Sequence, residues 1–485
     1  MTIPNDLRVP FVYVEFDSSR AFQGPSILRY QALLIGQRLS GGARPELHID
    51  KITSYDQATS LYGAGSQLAK MFESWLKNNR ITDVYGISLD DAGAGVAASG
   101  SFVLGGTASA DSSLVVYIGG ERIPVAVTSG QTATQIGDAL VAAIHSGLSV
   151  TASNSTGTVT ITAKNKGEAG NDIPLLANYN AGEELPAGIT LSINSMASGA
   201  NNPSIQDAID VLGDEWYNII CAPYNDATNM TAIEAELDDR FGPLRMIDGL
   251  YITSKRGNLG QLESYGNGRN SKHVCCIHSE QIPNSSLAMV TAWGGQLAAE
   301  GQADPARPFQ TLELVGILPP AIENRFTLVE NNSLLYDGIA TFYVDNGGKV
   351  RIQRAITMYQ TNSLGAADVA YLDVNTLLTL MYLRYDFRTQ ILTKYARAKL
   401  GDDGVQVGPG QQVMTPKLGK AEAINIFRGW QELGLVENID QFKNDLICIR
   451  STTDVNRLEW ILPPDLMNQF RVGAATLQFL LQSPA

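Results

Sequence analysis

Cysteine is scarce, with 4 in 485 residues. So few thiols, two of them adjacent (Cys275 and Cys276), exclude a disulfide framework and fit a chain made in a reducing cytoplasm. Long apolar runs are missing too: no uninterrupted stretch reaches the roughly 20 residues that a bilayer-spanning helix needs. The opening MTIPNDLRVP lacks a basic segment followed by an apolar one, so neither membrane insertion nor export by a signal peptide is expected. Positive charge is in short supply, with 35 Lys and Arg against 49 Asp and Glu and a net charge of -14. Phosphate contact needs a basic surface, so the balance argues against a general nucleic-acid binder.

Catalytic and cofactor signatures are also lacking. G-x-S-x-G and H-E-x-x-H do not occur, and His48 and His145 have no partner nearby in sequence. Gly63 and Gly65 begin like a dinucleotide fingerprint, but Leu68 stands at its third glycine and a helix, not a strand, is expected before it. Gly419 and Lys420 begin to match a phosphate loop, yet Met414 and Ala421 occupy its first glycine and its hydroxyl position. HVCCIH groups His273, Cys275, Cys276 and His278. On a strand, however, alternate residues face opposite sides, so the four cannot close one tetrahedron, and buried cysteines in a sheet are the better reading. No catalytic residue, metal ligand or cofactor site is assigned, and an enzyme is not expected.

What is present is 44% hydrophobic residues patterned into several domains. Residues 30–36 and 82–89 read as strands. Ser54 and Gln57 have capping-box spacing for a short helix ending near Gly63, and Leu68, Met71, Phe72, Trp75 and Leu76 share one face of a second. From 92 to 200 charges thin out and Ser, Thr and Gly become dense. Strands are expected at 113–120, 122–128 and 158–164, with a helix at 133–145, as an inserted β-rich domain. From 203 helices alternate with strands at 216–222, 249–254 and 273–277, the pattern of a largely parallel sheet covered on both faces. Residues 341–353 read as a hairpin about Asn346–Gly348, residues 375–399 as a long helix, and residues 416–433 as a helix capped by Thr415 and stopped by Gly434. The expected fold class is α/β and α+β multidomain. A βα-alternating core domain occupies 27–91 and 201–314, the insert 92–200 and an α+β C-terminal domain 315–462, with arms at 1–26 and 463–485.

Both arms are apolar. Val12, Val14 and Phe16 would share one strand face, with Phe11 and Tyr13 on the other, and FRVGAATLQFLL is apolar on both faces. A strand of that kind needs partners, and where its own domain supplies none, another subunit must. A locally basic region follows residue 349, with Arg384 and Arg388 one turn apart on a helix; it is either a solvated face or a dock for an acidic partner.

Taken in order, RVPFVYVEFDSSRA (8–21), LLIGQ (33–37), YGAGSQLAKMFESWLK (62–77) and WILPPDLMNQFRVGAA (460–475) resemble the tail sheath protein of contractile-tailed phages of the Mu type. The resemblance spans nearly the whole chain and is strongest at its ends. It implies a virion subunit that stacks with copies of itself as hexameric rings in a helix around the tail tube protein, between baseplate and tail terminator proteins. It implies no cofactor, no direct nucleic-acid partner and no membrane insertion. Contraction would drive the tube through the host envelope. The arms would be strands exchanged with a neighbour's C-terminal domain, through Phe11, Val12, Tyr13, Val14 and Phe16 at one end and Val472, Leu477, Phe479 and Leu480 at the other. Gly24, Pro25, Pro463 and Pro464 are the candidate hinges. Arg384, Arg388, Lys417, Lys420 and Arg428 are the candidate tube-facing residues of an inner C-terminal domain. The alternatives are the sheath of a bacteriocin or secretion-like particle, and a cytoplasmic α/β enzyme carrying a β-insert.

Overall fold

The structure, a computed structural model, describes residues 28–481. It divides into a larger unit, Arg29–Met381 with the segment from Asn468, and a smaller one that includes Tyr382–Met467. The expected N-terminal strand, with Phe11, Val12, Tyr13, Val14 and Phe16, and the linker residues Gly24 and Pro25 lie outside the described residues.

The larger unit is built on an eight-stranded sheet. In spatial order its strands are Val350–Arg354, Ile339–Val344, Val274–His278, Leu250–Lys255, Ile219–Cys221, Gln31–Gln37, Asp83–Leu89 and Ile49–Lys51. The inner pairings are parallel, and only the outermost strand at each end runs antiparallel to its neighbour. Leu33, Leu34 and Ile35 are fully buried, as expected where helices cover both faces. On one face Leu33, Ile35, Ile220, Tyr251 and Cys276 pack with Ile209, Ile233, Leu262 and Leu334. On the other, the helices Gln67–Asn78 and Ser286–Ala303 lie close enough that a Cβ on Gly294 would stand 2.3 Å from the Cys221 sulfur and 3.3 Å from Trp75. The helix Tyr55–Tyr62 begins as expected, with Ser54 accepting from the Gln57 N–H at 3.2 Å, but the Gln57 side chain accepts from Thr53 N–H instead of from Ser54.

The expected domain boundary at residue 315 falls inside this unit. The hairpin at 339–354 extends the parallel sheet through Cys276↔Ile339, so an antiparallel sequence pattern here marks a sheet edge and not a new domain. The insert forms a four-stranded antiparallel sheet (Ile189–Ala197, Ser99–Gly106, Thr158–Ala163, Val150–Ser155) and a three-stranded one (Glu121–Val127, Ser112–Ile118, Leu175–Ala177). With the helix Ala133–Ala143 they enclose Phe102, Leu114, Val116, Ile136, Leu140, Val159 and Ile161. Three of these strands match the sequence expectation. The others have weaker patterns, SGSFVLGG being rich in glycine and VTASNS largely polar, and are held by their ladders.

In the smaller unit the helix Pro416–Glu432 starts at Thr415, whose side chain accepts from Leu418 N–H, and is followed by Gly434 at φ +71°. Its buried face stacks Phe427 on Phe442 (centroids 4.1 Å apart) and brings the Trp430 Nε1–H to the buried Asp386 at 2.7 Å. The division between units falls within the long helix, Val374–Tyr395, which ends before the expected residue 399 because Lys399–Leu400 pairs with Val413–Met414. The hairpin Ile447–Arg450 with Leu458–Ile461 packs on the first of these helices at Gly419, where a Cβ would meet the Cys448 sulfur at 2.7 Å. Among the described residues no strand forms beyond Leu466, and the segment 470–481, expected as a strand completed by another subunit, is unpaired in the single chain. Within the described chain no strand lies alongside to complete a ladder.

HVCCIH lies buried in the sheet. Cys276 joins the core on one face, and His278 stacks between Phe342 (4.4 Å) and Phe326 (5.1 Å). Burial pushes the His278 imidazole down to about 3, and neither ring nitrogen has a hydrogen-bond partner.

Two outcomes follow from this packing. Gly294→Ala should lower the urea midpoint of the larger unit, because overpacking costs about 1–3 kcal/mol against a helix-propensity gain of about 1 kcal/mol. Adding Cys221→Ala should recover most of the loss, and no recovery would mean that the helix–sheet contact at Gly294 is not the cause. The second outcome concerns pH. His278 stays neutral in the fold while the unfolded chain takes up a proton below about pH 6.5, so stability falls as pH drops through that window, by about 1.4 kcal/mol per unit. Burial lowers His273 as well, which acts in the same direction. His278→Leu should flatten the slope between pH 6.5 and 4.5 in equilibrium unfolding, and an unchanged slope would refute the assignment.

Candidate functional site

The exposed apolar surface concentrates at the end of the described chain. Phe470, Val472, Leu477, Phe479, Leu480 and Leu481 are 77–100% exposed, where a soluble body leaves large apolar side chains only singly. The root of this arm is held to the larger unit: Gln310 Nε2 donates to Phe470 O at 3.2 Å, and Arg471 lies 2.9 Å from Asp373.

A second open surface was not anticipated from sequence. The hairpin Ile447–Arg450 with Leu458–Ile461 is a two-stranded sheet whose inner residues, Cys448 and Trp460, face the helix at Gly419. Its outer face carries Ile447, Ile449 and Ile461 at 44–59% exposure. Two strands alone are marginally stable, and their outer edges offer unpaired backbone groups. The signal was there in ICIR, an isoleucine at every second position of a hairpin that covers a helix with its other side.

Of the candidate basic residues, Lys417 and Arg428 lie on the side of their helix opposite the buried Gly419, Ala423, Ile426, Phe427 and Trp430, and Lys420 lies on the flank of that face. Lys417 and Arg428 are exposed and Lys420 half-buried. Arg388 is exposed and Arg384 half-buried, one turn apart on Val374–Tyr395. Residues 382–467 hold 11 Lys and Arg and 11 Asp and Glu, so the whole net charge of -14 resides elsewhere in the chain.

Pro463 and Pro464 sit between two paired segments. Leu458–Ile461 is in the hairpin, and Asp465–Leu466 pairs with Val436–Glu437, after which Met467 N–H donates to Leu435 O at 3.0 Å. The prolines are therefore braced on both sides, and the unpaired arm starts after Met467.

No constellation suited to catalysis or metal binding stands beside these surfaces. Among the described residues no three His, Cys, Asp or Glu side chains converge as metal ligands. A cavity of about 580 Å³ beside the edge strand Ile49–Lys51 has Lys51 paired with Asp83 (2.7 Å) and Lys77 with Glu73 (2.8 Å) in its lining, while Arg80 Nε donates to Leu76 O at 3.0 Å. The buried thiols are pushed up, Cys276 to about 12, which makes them poor nucleophiles.

Residues 198–358 match the phage tail sheath protein central domain, and residues 366–479 match the phage tail sheath C-terminal domain. The chain is 37% identical over 481 residues to the Mu-like prophage FluMu tail sheath protein of Haemophilus influenzae, covering 99% of both chains. Among solved structures it is similar to a sheath tail protein from Desulfitobacterium hafniense, at 13% identity and a TM-score of 0.49, over 94% of this chain and 100% of that one. A sheath tail protein from Listeria innocua gives 13% identity and 0.48, over 91% and 92%. With one relative matched from end to end and both sheath domains recognised in order, the chain belongs to the phage tail sheath family, of the Mu-like kind, as a structural and non-enzymatic subunit of the virion tail.

Proposed function

We propose that this subunit polymerises as stacked hexameric rings in a helical sheath around the tail tube, between baseplate and terminator proteins, and that contraction of the sheath drives the tube through the host envelope during genome ejection. The observation that carries this reading is the C-terminal arm: six large apolar side chains stand at least 77% exposed on a segment with no ladder among the described residues. Burying each is worth about 1.5–3 kcal/mol, and a neighbouring subunit is the surface that can do it. Val472, Leu477, Phe479 and Leu480 then form one exchanged strand, with Phe11, Val12, Tyr13, Val14 and Phe16 as its counterpart. The open hairpin with Ile447, Ile449 and Ile461 is the acceptor. Gly24 and Pro25 serve as the N-terminal hinge, and Pro463 and Pro464 set the path by which the chain enters the C-terminal arm.

No nucleotide enters this mechanism. The extended sheath is held kinetically, and each subunit contributes a modest free energy when it rotates into better contacts, summed along the tail. Lys417, Lys420 and Arg428, or Arg384 and Arg388, face the tube and are released on contraction; the neutral balance of residues 382–467 in an acidic chain supports placing this part against a charged partner.

Replacing Phe479 and Leu480 together by Asp should leave thermal unfolding of the unassembled subunit unchanged, within about 0.5 kcal/mol, and abolish polymerisation. Deleting residues 469–485, or 1–19, should likewise give a folded chain that forms no tubes; tubes from the truncated chains in negative-stain electron micrographs would sink the arm reading. For the tube contact, Lys417→Glu with Lys420→Glu is to be compared with Arg384→Glu and Arg388→Glu in co-assembly with the tube protein. One pair should reduce tube incorporation at least tenfold, and normal incorporation by both would rule out the basic dock.

A further inference from the structure

Arg471 is the exception within the exposed arm. Its side chain is 14% exposed, while its neighbours Phe470 and Val472 are 79% and 85% exposed. Its Nη2 lies 2.9 Å from Asp373 Oδ1 and 3.2 Å from Asn375 Oδ1, and it also donates to Gln469 Oε1. Burial lowers the proton affinity of this guanidinium, and Asp373 opposes the shift.

The receiving site is built before the arm arrives. Asp373 is clamped by Arg354, whose Nε and Nη2 each reach one carboxylate oxygen at 3.1 Å, a fork-to-fork arrangement that fixes the carboxylate plane. Asn375 is fully buried, and its Nδ2 donates to Pro305 O (2.8 Å) and Arg307 O (2.7 Å). With both amide hydrogens committed, its oxygen is left facing Arg471 as an acceptor. Both contacts are made by one nitrogen, Nη2, so a lysine could reach Asp373, but its ammonium is more strongly hydrated than a guanidinium and costs more to withdraw from water.

We propose that Arg471 is the positioning residue of the C-terminal arm: by seating in the Asp373–Asn375 site of its own subunit, it fixes where the exchanged segment starts and the direction in which it leaves. This rests on the arm reading above. The part free to reach a neighbour is then residues 472–485, whose span is at most about 50 Å when fully extended.

The test uses the full-length chain with Arg471→Ala and Arg471→Lys, and limited chymotrypsin cleavage after Phe470 in the unassembled subunit as a readout independent of polymerisation. Arg471→Ala should be cut about tenfold faster than the parent at an unchanged melting temperature, and should form few or irregular tubes. Arg471→Lys should fall between the two on both measures. Asp373→Asn, which keeps the site's shape, should also speed cleavage. Cleavage of Arg471→Ala at the parental rate would overturn the seat itself. Faster cleavage with normal tubes would overturn the positioning role while leaving the arm reading standing, since that reading fails separately if chains lacking residues 469–485 polymerise.

Discussion

A peptide group in an extended segment has to find a hydrogen-bond partner, and the distribution of partners organises this molecule. The eight-stranded sheet is closed at both ends. One edge is the three-residue strand Ile49–Lys51, too short to template another chain, and the other is covered where residues 311–314 bond to Val350 and Ile352. Nothing at those edges invites a neighbour. The hairpin at 447–461 and the arm beyond Met467 are left unclosed, and both are apolar on the side they leave open. In the sheath proposed above, an assembly that holds together while its subunits turn would have its bonding capacity concentrated where a main-chain ladder can form, and main-chain ladders tolerate rotation at their ends better than close-packed side chains do.

The same constraint explains which parts of the fold were legible from sequence. Strands buried on both faces, such as QALLIGQ and VCCIH, and the helix with Leu68, Met71, Phe72 and Trp75 declare themselves through composition and period. Ser192 to Asn194 do not, because an exposed stretch of Ser, Ile and Asn has too little apolar content to mark itself; it is strand because Val103 to Ser101 lie alongside it. The hairpin at 339–354 was read correctly as a hairpin and assigned to the wrong neighbour, since parallel pairing of Ile339 with Cys276 joins residues far apart in sequence. FRVGAATLQFLL is a different case. It has the pattern of a strand and is unpaired among the described residues, because pattern specifies what a segment can pair with and not whether the partner belongs to the same chain.

For the candidate site, the family was legible through motifs in order, whereas the outer face of the hairpin was not. Ile447, Ile449 and Ile461 look like core residues in the sequence. They are half-exposed because the other side of the same strands is already occupied, with Cys448 and Trp460 against Gly419. Here a glycine sets which residues are exposed: without a side chain at 419 the hairpin sits directly on the helix, and its isoleucines are turned outward.

Arg471 adds a consideration that hydrophobic patterning could not supply. An arm with six exposed apolar side chains is a hazard to its own subunit, because any apolar surface within reach competes with the intended one. A partly buried ion pair is a weak source of stability, since desolvation offsets much of the Coulomb gain, and in some proteins such pairs serve to fix register instead. A guanidinium taken out of water has few acceptable destinations, whereas a leucine has many. Placing one arginine at the root, ahead of Val472, restricts where the apolar segment can begin to search and leaves its affinity to the leucines and phenylalanine that follow. Register is then set by charge geometry and holding strength by apolar area, two properties that a single class of side chain could not tune independently.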